Sequence, residues 1–332
     1  MAATLSKIAM NVLRQGKAPK ARYRDIAGKR SSFELDHADE VAKGRKVYDV
    51  DKLENRHFGE ELPMIIGHCD PHKYLYHYTS ADTAITGILK FRTLRLNPYT
   101  KTNDPKESKD WLFDIGSNEG RDLSAYNRSE LSAKLSHELK NKTHVTCFST
   151  DEDSLTGNQA LDINKRGFCK PTMWEHYGRR HTGVCLVFNR ERLIEQVKTQ
   201  IAERYPVYCG PVSYADHVIG HHPDHQEFTV NVDVLERVGV DEYMRMHLAE
   251  FHQNLFFEKM TDWKAECEWR LLAFTDSDKP VDINFEKSLA GLVFGCDVTP
   301  ENRKEIFELN HCSGVHHVGL QWKNNRMWYD WN

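Results

Sequence analysis

The run Leu75-Tyr76-His77-Tyr78-Thr79 marks the start of the main folded domain and, with the elements after it, decides the fold class. Its aromatic and apolar residues favour an extended strand. In a strand, Tyr76 and Tyr78 share one face, whereas Leu75, His77 and Thr79 share the other. We therefore expect His77 either to pack in the core or to line a cleft.

The elements after this first strand alternate irregularly between strand-like and helical patterns. Strand-like runs lie at residues 144–149, 183–188, 269–274, 289–294 and 315–322, and helical stretches at 81–90, 191–203, 234–260 and after Pro300. Insertions of very different length separate the strands, in place of regular crossover helices. The pattern therefore predicts an α+β fold and not a doubly wound parallel sheet.

A further helix is predicted to begin at Asp104 and to run toward Phe113. Asp104 suits a helix cap, Pro105 suits the first helical position, and Glu107 is placed to close a capping box. In this interpretation, both acidic side chains stabilise the start of the helix.

Composition indicates one enlarged domain with an N-terminal appendage. The chain has 332 residues, of which 39% are apolar and 28% charged, with a formal net charge of −4. That charge gives no general reason to expect binding to nucleic acid or to an anionic membrane. There is no apolar run of membrane-spanning length and no secretory signal pattern, so we predict a cytoplasmic protein.

Residues 1–70 are predicted to form a basic arm or appendage, and residues 71–332 the main domain. The first 30 residues carry eight basic side chains against one acid, Asp25. A helix is plausible over residues 4–14. Such a composition is typical of a flexible or partner-docking tail, and contact with phosphates is the alternative.

Glu266 and Glu268 are the strongest candidates for chemistry. They lie two residues apart where a buried strand begins, so they fall on the same side of the chain. Two like charges on one face are costly unless an arginine, a metal ion or a substrate compensates them, although exposure to solvent would remove most of the cost. This pair is therefore a candidate site.

Other residues allow both a structural and a functional interpretation. Ser149 ends a strand, where hydroxyl groups often only cap a turn. Trp174 and Tyr177 have helical i, i+3 spacing and form an aromatic surface, either for core packing or for stacking on a flat ring. The histidines from His217 to His225 are interrupted by glycine and proline, so a solvated loop explains them better than a metal site.

Taken in order, these segments resemble a bacterial family known as domain of unknown function twenty-nine seventy-one. The matching marks are Tyr76-His77-Tyr78-Thr79, Gly87-Ile88-Leu89, Leu94-Arg95-Leu96, Asn103-Asp104-Pro105 with Glu107, Cys147-Phe148-Ser149, Met173-Trp174 with Tyr177, Gly183-Val184-Cys185, Trp263 with Glu266, Glu268, Trp269 and Arg270, and Gly291 to Gly295. No activity comes with that family name.

The first strand and helix are also similar to the opening motif of ADP-ribosyltransferases. That resemblance implies a split β-sheet core flanked by helices, with helical insertions, and NAD as the bound dinucleotide. It further implies that His77, with its neighbours Tyr78 and Thr79, holds a ribose of NAD, and that Glu268 stabilises the ribosyl cation. The chain lacks the leading Arg and the full Ser-Thr-Ser of the arginine-modifying branch, so that branch's targets do not carry over.

The same resemblance assigns roles to the remaining candidates. Ser149 would orient Glu268, Tyr177 or Trp174 would stack on nicotinamide, and Glu266 would activate the acceptor. The expected activity is transfer of ADP-ribose from NAD to a protein or nucleic acid, or hydrolysis of NAD by water. A role as a toxin or in defence against phage is the biological expectation.

Two alternatives remain open at this point. One is a nuclease in which Asp104, Glu107, Glu266 and Glu268 bind a divalent metal ion near Lys259, because hard cations need clustered oxygen ligands. The other is a binding module without catalytic activity that docks a partner through the basic arm.

Overall fold

The computed structural model describes residues 20–24, 30–34 and 65–330, with gaps at residue 103, residues 217–225, residue 286 and residues 311–313. The chain divides into two units, Met1–Leu62 and Pro63–Asn332. The helix predicted over residues 4–14 and the histidine loop both lie outside the described residues.

The first unit contains a β-hairpin that the sequence analysis did not anticipate. Strands β1 (Lys20–Arg24) and β2 (Arg30–Glu34) pair antiparallel along their whole length. The segment interpreted as a basic arm therefore contains regular structure.

The second unit combines many strands with helices of very different length. Its strands are β3 (Tyr74–Thr79), β4 (Thr93–Pro98), β5 (Asp114–Gly116), β6 (Thr143–Ser149), β7 (Val184–Asn189), β8 (Val207–Pro211), β9 (Ser213–Tyr214), β10 (Thr229–Asn231), β11 (Glu258–Lys259), β12 (Glu268–Phe274), β13 (Val281–Asn284), β14 (Leu289–Phe294), β15 (His316–Lys323) and β16 (Arg326–Asp330). Its α-helices are α1 (Ala81–Thr83), α2 (Pro105–Ser108), α3 (Arg128–Lys142), α4 (Gln159–Asp162), α5 (Pro171–His176), α6 (Arg190–Ile201), α7 (Val232–Val238), α8 (Val240–Phe256) and α9 (Pro300–Glu308).

A mixed sheet of ten strands organises this unit. Its main path runs β13-β4-β6-β3-β7-β14-β15-β16, and β12 pairs with both β6 and β8. Neighbouring strands are antiparallel except for β14 and β15, which are parallel. The α+β prediction is confirmed. None of the helices in the described part of the chain is long and apolar enough to cross a membrane.

Strand β12 shows how the sheet separates two hydrophobic cores. Trp269, Leu271 and Ala273 pack in one core, whereas Leu272 and Phe274 pack in the other. This alternation is the two-residue period of a strand whose faces are both covered. Helices α1 and α6 contribute to the first core, and α3 and α8 contribute to the second.

The helix expected to run from Asp104 toward Phe113 is much shorter than predicted. It ends at Ser108, and the chain then continues extended into β5. Trp111 and Phe113 are buried while Leu112 is 85% exposed, which is the alternation of an extended chain. Their backbone N–H groups donate to serine hydroxyls of α3. Burying both aromatic rings therefore outweighs local helix propensity.

The packed unit begins upstream of the Leu75 run. Ile65 and Ile66 are fully buried, and the carbonyl oxygens of Ile66 and His68 each accept a 2.7 Å hydrogen bond from the guanidinium of Arg166. These contacts fix the segment that leads into the first strand of the large sheet.

Candidate active site in a split of the sheet

The large sheet is split next to β6. Strand β12 pairs with β6 along all of its residues, so β3 and β4 must share the other edge. On that edge β4 pairs only at His144 and Val145, and β3 only at Ser149. Residues 146–148 therefore face a gap between two diverging strands, and a gap of this kind can admit a ligand.

A pocket of about 1130 Å³ opens at this split. Pockets for drug-sized ligands span roughly 300–1,000 Å³, so this one has room for a larger ligand. It brings together His77, Tyr177, Glu266 and Glu268, which come from distant segments of the chain. Tyr78 and Thr79 also line it, although both are almost fully buried, and the hydroxyl of Tyr78 donates to the carbonyl of Gly167.

His77 bridges the split. Its Nδ1 lies 3.0 Å from the carbonyl oxygen of Cys147. Because a carbonyl can only accept, Nδ1 carries the proton in this contact. Burial lowers the pKa of His77, which favours the neutral ring near pH 7. The Nε2 atom is then an acceptor, suited to a ligand hydroxyl.

Glu268 is held by two cations. Its Oε1 accepts from Arg270 Nε at 2.7 Å, and its Oε2 lies 3.0 Å from Arg270 Nη2 and 2.8 Å from Lys259 Nζ. Burial alone would raise the pKa of Glu268, but Arg270 and Lys259 outweigh burial and hold that pKa well below its usual range. Glu268 is therefore an ionised carboxylate with most of its acceptor capacity already used.

Glu266 keeps more of its acceptor capacity. Its Oε1 accepts a 2.8 Å hydrogen bond from the Tyr177 hydroxyl, and its Oε2 accepts one of 2.8 Å from Lys259. Burial and the neighbouring carboxylate raise the pKa of Tyr177, so its hydroxyl remains a donor. Each carboxylate oxygen can accept two hydrogen bonds, so each oxygen of Glu266 has one position left.

We call Glu107, Lys259, Glu266, Glu268 and Arg270 the pocket cluster. Glu107 was expected to close a capping box, but its Oε1 instead accepts from Arg270 Nη2. The cluster contains three carboxylates and two cations, which leaves one net negative charge among these groups. Three of its members, Glu107, Lys259 and Arg270, are at most 4% exposed, so water screens these charges weakly.

The end of β6 fixes the backbone that carries the two glutamates. The Ser149 hydroxyl donates to the carbonyl of Glu266 at 2.7 Å, and the Thr150 hydroxyl donates to that of Cys267 at 3.0 Å. Cys267 has a φ of 46°, in the left-handed region, which costs roughly 1–2 kcal/mol for a residue with a Cβ. Ser149 was expected to orient the Glu268 side chain, but it holds the Glu266 backbone instead.

Trp174 does not reach the pocket, so the structure excludes it as a stacking residue there. Its ring is fully buried, its Nε1 donates to the carbonyl of Phe168 at 2.8 Å, and it packs edge-on against Tyr78. Trp174 and Tyr177 therefore do not form one aromatic surface, despite their i, i+3 spacing. Trp174 faces the core, whereas Tyr177 faces the pocket.

The same contacts bear on the metal-ion alternative. Within the described ranges of the second unit, no group of three or more His, Cys, Asp or Glu side chains could hold a metal ion. Arg270 and Lys259 already bind the carboxylates of Glu107, Glu266 and Glu268. Two fixed cations thus occupy the position that the nuclease hypothesis assigned to a metal ion.

Sequence reasoning missed the part played by Arg270 and Tyr214. Arg270 follows Glu268 by two residues in a strand, and this spacing was the available signal for a same-face ion pair. Tyr214 accepts a 2.8 Å hydrogen bond from the backbone N–H of Glu268, and it lies on a two-residue strand that no sequence pattern indicated.

The comparisons with known proteins fall on separate parts of the chain. Residues 1–56 match a family model described as Colicin/Pyocin-S2, DNase domain. Colicin-E7 of Escherichia coli is 46% identical over 41 residues, which are 12% of this chain and 7% of the colicin. The chain thus matches only a small fraction of that relative's length.

No solved structure matches the chain significantly. A second family match includes Tyr177, Lys259 and the two glutamates of the pocket, and it leaves out His77. This second match shows that residues 173–271 are similar to the family described as Protein of unknown function (DUF2971).

Proposed function

We propose that the second unit consumes NAD, cleaving the bond between nicotinamide and ribose and passing ADP-ribose to an acceptor. One observation carries the proposal: the split between β3 and β4 opens a single pocket onto His77, Tyr177 and the pair Glu266 and Glu268. An ADP-ribosyltransferase-like arrangement of the sheet is part of this proposal.

The charge of the pocket cluster suits this reaction. When the bond from ribose C1′ to the ring nitrogen breaks, its electron pair goes to nicotinamide, which leaves neutral, and positive charge moves to the ribose. A fixed carboxylate beside the ribose stabilises that charge more in the transition state than in the ground state. The net negative charge is already in place, so little reorganisation is needed at the moment of bond cleavage.

The contacts favour Glu266 over Glu268 as the carboxylate that meets the substrate. Glu268 accepts three hydrogen bonds from Arg270 and Lys259 and a further one from the Cys147 thiol, whereas Glu266 accepts only two and retains an acceptor position on each oxygen. In this assignment Glu268 anchors Lys259 and Arg270. Glu266 faces the ribose and takes the proton from the attacking hydroxyl of the acceptor.

Tyr177 would position the nicotinamide ring, and His77 would position the ribose on the adenosine side of NAD. The Tyr177 hydroxyl is held by Glu266, which fixes the ring at the pocket wall for stacking on nicotinamide. His77 Nε2 would accept a hydrogen bond from a ribose hydroxyl. The acceptor is a macromolecule or water, and a toxin or defence role is part of the same proposal.

The test is incubation of the full chain with NAD labelled in its adenosine part, with and without cell lysate and EDTA. The proposal predicts release of nicotinamide whenever lysate supplies an acceptor, and EDTA should not prevent it because the cations of the site are side chains; release without lysate is expected only where water is the acceptor. Label on protein or nucleic acid would identify a transferase, and label only on free ADP-ribose a glycohydrolase. Unchanged NAD, or turnover that requires added magnesium, would overturn the proposal.

The first unit supports a second candidate function, because its match is to a DNase domain. We propose that this unit contacts DNA, using the excess of basic residues in the first 30 positions. Phosphate contacts release counterions, so the affinity should fall steeply with salt.

Fluorescence anisotropy of a labelled duplex at two salt concentrations tests this candidate. Lys29→Gln with Arg30→Gln in the full chain should weaken binding several-fold and reduce its salt dependence. The matched control, Lys304→Gln with Lys323→Gln, removes the same charge from the second unit and should leave binding unchanged. Equal binding by the two double variants would exclude the DNA contact.

A further inference from the structure

Phe91 is an exposed aromatic residue at the pocket. Its ring is 63% exposed, and it belongs to the pocket lining together with Gly87 and Ile88 of the preceding helical segment. The Lys90 ammonium lies 5.6 Å from its ring centroid, which places a positive charge beside the ring. None of the chemistry proposed for Glu266 requires an apolar ring at this position.

The backbone holds Phe91 outside the core at an energetic cost. Arg92, the next residue, has a φ of 55°, a conformation that is unfavourable for a residue with a Cβ. Its side chain is anchored by a 2.7 Å hydrogen bond from Nη1 to Asn310 Oδ1 and by packing over Phe285. The Arg92 carbonyl also accepts from the backbone N–H of Phe285. The turn is therefore fixed by several contacts.

The helical segment before Phe91 is itself unusual. Helix α1 continues as a π-helical turn over Ala84–Leu89, a form that is rare and frequent at functional sites. Added to Gly87, a Cβ would meet no atom within 4 Å, so open space adjoins the segment there. Gly87 and Ile88 of the π-helical turn line one wall of the pocket together with Phe91, and the strained Arg92 follows that ring directly in the chain.

We infer that Phe91 is the base-stacking residue of the pocket and receives the adenine ring of the dinucleotide. This inference rests on the proposed function. An exposed aromatic ring provides a flat apolar surface, and a nucleobase has a flat face that can stack on it. Phe91 would thus select a dinucleotide over a mononucleotide without contacting the reacting bond.

Calorimetry with NAD and with nicotinamide mononucleotide, which lacks the adenosine part, tests the inference. Phe91→Ala should weaken NAD binding about tenfold or more, whereas Phe91→Trp should retain the affinity of the native chain. Binding of the mononucleotide should be the same in all three proteins. Phe307→Ala, at a 52% exposed phenylalanine of α9 outside the pocket lining, is the matched control and should bind NAD normally.

The possible failures are distinguishable. If NAD binds Phe91→Ala as tightly as the native chain, or if both ligands lose affinity equally, Phe91 is not the adenine subsite and the proposed function stands. If the native chain binds neither ligand, the proposed function and the inference fail together. Because Phe91 is exposed, its replacement should leave the melting temperature unchanged, and a circular dichroism melt checks this.

Discussion

The second unit contains two buried charge clusters that differ in one respect. One is the pocket cluster around Arg270. The other, which we call the Asp151 cluster, consists of His68, Tyr76, Asp151 and Arg166. Each has a fully buried arginine facing a buried carboxylate. The pocket cluster contributes four carboxylate or ammonium side chains to the pocket lining, those of Glu107, Lys259, Glu266 and Glu268, whereas the Asp151 cluster contributes only the buried ring of Tyr76.

The carboxylate of Asp151 is satisfied by its own surroundings. Asp151 accepts from the Tyr76 hydroxyl at 3.0 Å, from Arg166 at 3.2 Å and from the backbone N–H of Gly167 at 2.7 Å. Burial raises its pKa to about 6 despite Arg166. Arg166 also binds the carbonyls that fix residues 66 and 68. This cluster therefore joins segments of the fold.

The pocket cluster instead leaves acceptor positions open on Glu266, and its net charge faces the cavity. The comparison teaches that a buried ion pair is not by itself a functional site. What distinguishes the functional candidate is a carboxylate with unfilled acceptor positions at a pocket wall. Substitutions in and around the two clusters test that distinction.

Arg166→Met and Arg270→Met should have similar effects on stability and different effects on activity. Each removes the cation of a buried pair, so each should lower the free energy of unfolding by about 3–5 kcal/mol, as measured in urea. At low temperature, where both remain folded, Arg166→Met should keep the native kcat for NAD and Arg270→Met should lose most of it. Equal losses of kcat would remove the distinction between the clusters.

Glu268→Gln should destabilise the fold as well as reduce NAD turnover. In this variant Arg270 still pairs with Glu107, and Lys259 still pairs with Glu266. We therefore expect the free energy of unfolding to fall by about 2 kcal/mol, less than for removal of an arginine. Urea unfolding measures the loss. If the variant is as stable as the native chain, Glu268 is not the anchor of the two cations.

The Asp151 cluster should make stability depend on pH through His68. Burial and Arg166 lower the pKa of His68 to about 4 from its usual 6.5. On unfolding below pH 6.5 this group takes up a proton, so its contribution is present above pH 6.5 and is lost as the pH falls toward 4. Between pH 6.5 and pH 4, the free energy of unfolding of the native chain should fall by about 2 kcal/mol more than that of His68→Asn.

The raised pKa of Asp151 acts in the opposite direction over part of this range, since its protonation in the fold is favoured below about pH 6. Comparing the native chain with His68→Asn subtracts the part of the Asp151 contribution that the two proteins share. Urea midpoints at pH 6.5 and pH 4 give the difference. Parallel curves for the two proteins would contradict the buried, neutral state of His68.

Thr150→Val tests whether the end of β6 positions the carboxylates. The variant removes one hydrogen bond to the Cys267 carbonyl and should cost about 1 kcal/mol of stability. If the strained turn positions Glu266, kcat should also fall several-fold with KM unchanged. Thr199→Val removes a comparable hydroxyl bond within α6 and should leave kcat alone. Equal kcat values for both variants would make Thr150 purely structural.

The long buried strands could be predicted from sequence because they are marked by apolar runs. Leu289–Phe294 was predicted with its observed bounds, and β12 differs from its predicted run by one residue. Short edge strands such as Ser213–Tyr214 were missed, because two residues carry no periodicity. The helix after Asp104 was overextended because local capping signals do not reveal that Trp111 and Phe113 will be buried.

The candidate site was predicted only in part. The convergence of His77, Tyr177 and the glutamates followed from a resemblance, and the pocket does bring them together. The assignment of Glu266, and not Glu268, as the reacting carboxylate could not be predicted from sequence. It depends on contacts that Lys259 and Arg270 make across the fold. The hairpin of the first unit escaped notice because basic composition was interpreted as an arm.

The central claim is that Glu266 is the carboxylate that acts on NAD. Its most direct test is nicotinamide release by the native chain and by Glu266→Gln, which keeps the side-chain volume and removes the charge. The account predicts steady release by the native chain and a reduction of kcat of about 10³-fold in the variant, measured at a temperature where circular dichroism shows both proteins folded. Equal rates for the two proteins would contradict it.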